Sequence, residues 1–199
     1  DFKVTGFAGL QSTDINSADA RLEWYYDNSN YSVGVFYKDL DNPIEAIELS
    51  GSDGNLLMSF RNAESGKLYG VEAEFLQQLD MFGGNVGKIA DNFFVAGNLT
   101  VSESEISIQR FPGANLTNLT RSLSGHSKYV ANLQLGYDSD NNQHNATLTY
   151  NVFGKRIAFA GVNNKDDAFE QPFNSLDFTY SYTPLESMTV KLGLKNLLD

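Results

Sequence analysis

The chain has 199 residues, long enough for one β domain to bury a sizeable core, and with 41% hydrophobic and 20% charged residues its composition is not that of a disordered chain. Twenty-five acidic residues against 14 basic ones give a formal charge of -11, a sign that repels phosphate backbones and argues against a nucleic-acid partner. The absence of cysteine excludes disulfides and thiolate metal sites, and no apolar run approaches the ~18 residues of a membrane-spanning helix, although strands that alternate could still form a membrane barrel.

Residues 1–17 show weak periodicity and read as an irregular lead-in. Period-two alternation starts at Ala18, where Ala20, Leu22, Trp24 and Tyr26 share one face and Arg21, Glu23 and Tyr25 the other. DNSN at 27–30 is a turn of residues that tolerate left-handed geometry, and Tyr31, Val33, Val35 and Tyr37 then alternate with Ser32, Gly34 and Lys38. Pro43 and the Gly51 to Gly54 cluster mark a long connection with room for a short hairpin of its own. The next strand, KLYGVEAEFLQQL, sets Tyr69, Val71, Ala73 and Phe75 against Gly70, Glu72 and Glu74.

A glycine-rich turn leads to NFFVAGNLTVSESEISIQ, with Phe93, Val95, Gly97, Leu99 and Val101 on the apolar side. This strand runs well past the usual ~5–6 residues. After a long connection, Ser127 to Ile157 forms the clearest hairpin. Tyr129, Ala131, Leu133, Leu135 and Tyr137 are answered by Ala146, Leu148, Tyr150 and Val152 across the turn Asp138 to Gln143. A further long connection precedes SLDFTYSY and MTVKLGL, joined by TPLES.

The four prolines (Pro43, Pro112, Pro172, Pro184) fall in connections in this reading, as a hydrogen-bonded sheet requires. Connections alternate between short (27–30, 80–91, 138–142, 183–187) and long (40–66, 109–126, 158–173). The chain is therefore expected to be all-β, an antiparallel up-and-down meander of about eight long strands. The same alternation would serve a soluble sheet with one face on a core. Three features favour a membrane: the loops are asymmetric, the apolar stretches approach spanning length, and aromatics cluster at strand ends. Those aromatics are Trp24, Tyr25, Tyr26, Tyr37, Tyr69, Phe93, Phe94, Tyr129, Tyr137, Phe153, Tyr180 and Tyr182. Trp24, Tyr26, Tyr37, Tyr69, Tyr129, Tyr137, Tyr180 and Tyr182 are expected at the membrane interface, where a ring body and a polar tip each find their own phase. Glu72, Glu74, Asn98, Asn132, Gln134, Asn151, Asp177 and Lys191 occupy the opposite face, which a barrel turns toward its lumen.

ARLEWYYDNSNYSVGVFYKDLDNPIE, GKLYGVEAEF, the hairpin SKYVANLQLGYDSDNNQHNATLTYNVFGKRI and the terminal LKNLLD resemble, in order and spacing, the C-terminal barrel portion of TonB-dependent outer-membrane receptors. The resemblance covers residues 18–199. It implies part of a 22-stranded transmembrane barrel in a Gram-negative outer membrane, with short turns in the periplasm and long loops outside. It also implies active uptake of a scarce ligand of the siderophore, cobalamin, saccharide or peptide class, energised through TonB and an N-terminal plug. The expected partners are outer-membrane lipid, the remaining strands and plug of the same receptor, TonB, and a small extracellular ligand. Plug, earlier strands, last strand, TonB box and signal peptide are not recognisable here, so a piece of a longer receptor is expected. A passive outer-membrane channel and a soluble β-sandwich binding or adhesion module are the alternatives.

No catalytic chemistry is expected. Glu72 with Glu74, and Glu103 with Glu105, are spaced as ordinary same-face decoration. His126 and His144 lie in separate connections and form no metal motif, Asp166, Asp167 and Glu170 lack calcium-loop spacing, and GGNVGK at 83–88 lacks the ending of a phosphate loop. No cofactor or metal is expected. Ligand contacts are expected on the long loops, with Arg61, Arg110 and Arg121 suited to an anionic group and Asn163, Asn164, Asp166 and Asp167 to hydroxyls.

Overall fold

The computed structural model describes residues 3–50, 56–81, 90–110 and 116–198. The glycine clusters at 51–54 and 83–88 and Pro112 lie outside these residues. Eight strands build one antiparallel sheet in the order of the sequence. They are β2 (Asp14–Tyr26), β3 (Ser29–Asp41), β6 (Ser65–Gln78), β7 (Phe93–Ser107), β9 (Tyr129–Asp138), β10 (His144–Phe153), β13 (Phe173–Leu185) and β14 (Met188–Leu194). The expected eight-strand meander is what forms. Among the described residues β2 and β14 pair on one side only, so the sheet has two edges.

The long connections carry their own small structures. β4 (Ile44–Ser50) and β5 (Leu56–Asn62) form the hairpin expected between Asp41 and Ser65, and β1 (Lys3–Val4) pairs with β5 in parallel. β8 (Thr120–Arg121) adds to β7, and β11 (Arg156–Phe159) pairs with β12 (Ala168–Glu170).

Register keeps the two faces apart across the sheet. Trp24 is opposite Tyr31, Tyr31 opposite Phe75, Phe75 opposite Gly97, Gly97 opposite Leu133, Leu133 opposite Tyr150 and Tyr150 opposite Leu176. The next row reads Leu22, Val33, Ala73, Leu99, Ala131 and Val152. This apolar face is bare: Val35 is 52% exposed and Leu133 48%, values foreign to a packed core. All eight expected interface aromatics lie on it. His144 joins them at the turn end, its Nδ1 2.7 Å from the Tyr180 hydroxyl and its ring stacked on Tyr182.

The aromatic band also records strand tilt. Tyr31 shares its row with Tyr150 on β10 and Leu176 on β13, and the rings of β13 run on through Phe178, Tyr180 and Tyr182, two to six residues further along across five strand pairings. At ~3.3 Å per residue and ~4.8 Å between strands this slip is an inclination of roughly 15–40°, a range that includes the tilt of a closed barrel. The loop-end band slips the same way, with Tyr129 two residues nearer the turns than the Tyr37–Tyr69 row.

Four details depart from the sequence reading. β2 begins at Asp14 rather than Ala18, because Asp14 to Ser17 pair with Asp41 to Lys38 at a level where neither face is strongly apolar and no period shows. Pro184 lies inside β13, at the register shift between Tyr182 and Leu185, where a ladder tolerates a missing donor. Phe94 and Phe153 end strands but sit on the polar face, opposite Gly136 and Val130.

The buried core sits at the loop end, where Ala63, Ile106 and Ile108 pack with Leu116 and Leu123. Beside it, Arg121 Nη2 donates to Glu45 Oε2 at 2.9 Å, with side chains only 3% and 6% exposed, and the Ser124 hydroxyl donates to the same oxygen at 2.7 Å. This buried pair ties the β4–β5 hairpin to the loop after β8. His126 fastens the loop a second time, Nε2 2.8 Å from Ser102 Oγ and Nδ1 2.8 Å from Ser104 Oγ. Burial pushes the His126 imidazole below its ordinary 6.5, with Lys128 acting in the same direction and Glu103 against it.

Removing one partner of a buried pair leaves a charge without compensation, at a cost of ~3–5 kcal/mol. Arg121→Ala should therefore raise hydrogen exchange at the amide of Ile108, which donates to the Leu119 carbonyl before β8, and at that of Leu123, which donates to Ser104 Oγ on β7, while Glu45→Leu with Arg121→Met should restore much of the protection. Because His126 is depressed in the folded state, its contribution is complete above about pH 6.5 and is lost as pH falls through the lower folded value. Exchange at Leu123, corrected for the intrinsic rate, should accelerate between pH 7.5 and 5, and His126→Gln should flatten that dependence.

Candidate functional site

A cavity of about 710 Å³ opens on the polar face at its loop end. Its sheet wall is set by register: Asp19 is opposite Phe36, Phe36 opposite Gly70, and Arg21, Gly34, Glu72, Thr100 and Val130 follow one another in the adjoining row. The Phe36 ring lies across Gly70, where a Cβ would fall 2.9 Å from the ring and 2.5 Å from the Val101 carbonyl oxygen. Glycine is needed there for the ring to lie flat on the wall. The loop wall is made by Gly125, His126 and Ser127, with Phe153 and Arg156 at the side.

The charges on this wall are of two kinds. Arg21 donates to Glu74 at 2.6 Å and to Glu23 at 2.7 Å. Arg156 donates to Glu170 at 2.6 Å while its guanidinium lies 4.2 Å from the Phe153 ring centre. That hydrogen bond holds the Glu170 carboxyl below its ordinary value and raises Arg156. The side chains of Asp19, Lys38 and Glu72 make no hydrogen bond or ion pair among the described residues. Apolar surface comes from Phe36, Leu68, Val130 and Phe153.

A second cavity, of about 410 Å³, lies between the loop after β8 and the β11–β12 hairpin, and His126 and Arg156 line both. Lys155 borders it, with its ammonium 3.8 Å from the Phe169 ring centre. Further toward the turns a third hollow of about 360 Å³ is rich in neutral hydrogen-bonding groups. Asn98 accepts from Asn132 at 2.8 Å there, and Gln134 and Thr149 complete the wall.

The sequence-predicted residues separate by this geometry. Glu72, Glu74, Asn98, Asn132, Gln134, Asn151, Asp177 and Lys191 all stand on the polar face. Of the loop residues, Arg61 is stacked over Phe7 at 3.4 Å and donates to the Phe60 carbonyl, Arg110 is exposed, and Arg121 is engaged with Glu45. Asn163 and Asn164 have φ of 55° and 63° and close a tight turn in which the Lys165 amide donates to the Val162 carbonyl. Their type answers a backbone demand for left-handed geometry. Asp166 is exposed, whereas Asp167 accepts from the Gly161 amide and from Asn118. No three His, Cys, Asp or Glu side chains among the described residues form a metal-holding group.

Sequence reasoning missed the assembly of Asp19, Phe36, Lys38, Phe153 and Arg156 around one cavity, and the double anchoring of His126. Asp19 and Lys38 are visible in the alternation as polar-face positions. The inward turn of Phe153 would have been visible by counting its parity from Tyr150.

The family model for "TonB dependent receptor-like, beta-barrel" matches residues 2–197. The fold is similar to a ferric enterobactin receptor mutant from Pseudomonas aeruginosa in complex with enterobactin, at TM-score 0.65 and 17% identity, covering 98% of this chain and 27% of that one. It is also similar to the copper transporter OprC, at 0.68 and 14%, covering 96% and 26%. The ferric-catecholate import receptor Fiu from K12 E. coli gives 0.63 and 14%, covering 96% and 24%. The chain thus spans about a quarter of the length of these solved structures, and no curated protein matches it. The sheet with one bare apolar face, the inclined aromatic bands and the family match agree: this chain belongs to the β-barrel family of TonB-dependent receptors, outer-membrane proteins of Gram-negative bacteria.

Proposed function

We propose that this chain forms part of the wall and outer loops of a 22-stranded receptor that takes up a scarce ligand actively, driven through TonB, with the ligand resting against the polar face at the loop end. The observation that carries this is the pairing of a lipid-ready apolar face with a 710 Å³ cavity on the opposite face. The polar residues Glu72, Glu74, Asn98, Asn132, Gln134, Asn151, Asp177 and Lys191 face the lumen, and plug, TonB and remaining strands come from the rest of the receptor. The segment does no covalent chemistry. Siderophore, cobalamin, saccharide and peptide ligands are the classes in view, and the enterobactin and copper named for the neighbours are theirs at identities that carry fold alone.

Bacteria expressing the full receptor should accumulate its solute against a gradient, and this should cease when TonB is deleted or the proton gradient is collapsed. Accumulation that only equilibrates, and persists without TonB, would identify a passive channel instead. A second test addresses the faces. Leu133→Arg should destabilise the lipid-embedded receptor by ~2–4 kcal/mol, whereas the neighbouring Asn132→Arg, on the wet face, should cost far less. Denaturant unfolding in phospholipid vesicles measures both, and equal costs would contradict the assignment of faces.

A further inference from the structure

Three charges on the large cavity are left unused by the fold. Arg21 and Arg156 are neutralised by Glu23, Glu74 and Glu170, and His126 is held between two serines. Among the described residues the side chains of Asp19, Lys38 and Glu72 have no such partners, and they surround the ring of Phe36. Asp19 is directly opposite Phe36, Lys38 lies two residues along the same strand, and Glu72 lies two residues beyond Gly70, on which the ring rests. Leu68, Val130 and Phe153 extend the apolar surface. The wall therefore offers an unpaired ammonium, unpaired carboxylates and an apolar floor between them.

The spacing of these charges sets the size of what they can hold. Lys38 is opposite Leu68, four residues from Glu72 on the neighbouring strand. At ~3.4 Å per residue and ~4.8 Å between strands the two backbone positions are about 14 Å apart. A single amino acid reaches both only where the two side chains lean toward each other. Three or four residues of extended chain span about 10–14 Å. A lone anion would meet two carboxylates, and a neutral saccharide would desolvate three charges without pairing them.

Building on the receptor function above, we propose that this cavity takes a short peptide of three to four residues with free termini. Its carboxylate lies on Lys38, its ammonium faces Glu72, and an apolar side chain rests on Phe36 and Phe153. The test is isothermal titration of the purified full receptor in detergent with a phenylalanine-centred tripeptide, free at both ends, beside its N-acetylated and C-amidated forms. Each cap should weaken binding at least tenfold. Lys38→Met should abolish the penalty for amidation but keep that for acetylation, Glu72→Gln should reduce the penalty for acetylation, and Lys38→Arg should behave as the unaltered receptor. Equal binding of free and capped peptides, no binding of any of them, or an amidation penalty unchanged in Lys38→Met would overturn the assignment. Tripeptide binding without TonB-dependent uptake would instead count against the transport reading and leave the site standing. TonB-dependent uptake of another solute with no tripeptide binding would do the reverse.

Discussion

Everything in this chain depends on one register. Side chains on a strand alternate with period two, so a slip of a single residue in any of the seven pairings would carry a strand's apolar set to the other face. No slip of that kind separates Trp24 from Leu176, and the same continuity delivers Asp19, Phe36, Glu72 and Thr100 together to the wet side. The two faces are thus one decision made seven times. The cavity exists because register that satisfies lipid on one surface collects polar groups on the other.

The loop end obeys a different constraint. There the sheet needs no lipid, and the chain can afford a small conventional core of Ala63, Ile106 and Ile108 with a buried ion pair beside it. Glu45 and Arg121 are 76 residues apart, so this contact holds two long connections against one another. A rigid strand wall and a fastened loop meet at His126, which borders the cavities of about 710 and 410 Å³. Recognition in such an arrangement depends on how firmly the loop is held as well as on which side chains it presents.

The strands were legible from alternation because one face must be apolar throughout its span, and Tyr129 to Tyr137 or Val33 to Tyr37 display this without help. Legibility failed where that demand stops. Asp14 to Ser17 belong to β2, but at their level one face is polar, with Asp14 and Asn16, and the other mixes Ile15 with Ser17, so no alternation shows. Pro184 is tolerated because the ladder is already irregular there. The loop residues were the least readable. Arg121 looked like a ligand contact and is engaged by an acid far away in sequence, while Asn163 and Asn164 looked like hydroxyl binders and serve a left-handed turn. Residue type alone does not distinguish a free guanidinium from a buried one, since the difference is made by a partner that only the tertiary fold supplies.

The order of strands in the sheet, identical to their order along the chain, also bears on how the molecule assembles. Every pairing in the wall joins sequence neighbours, with the longer closures bridged by hairpins such as β4–β5 and β11–β12 that form locally. Pairing each wall strand with the one before it keeps every closure to a few tens of residues, so the wall can grow one hairpin at a time. Each added strand satisfies the edge before it and leaves a single new edge behind. Growth of this kind is templated, and at any moment two rows of backbone donors and acceptors wait for a partner, one on the outer side of the first strand and one at the growing front.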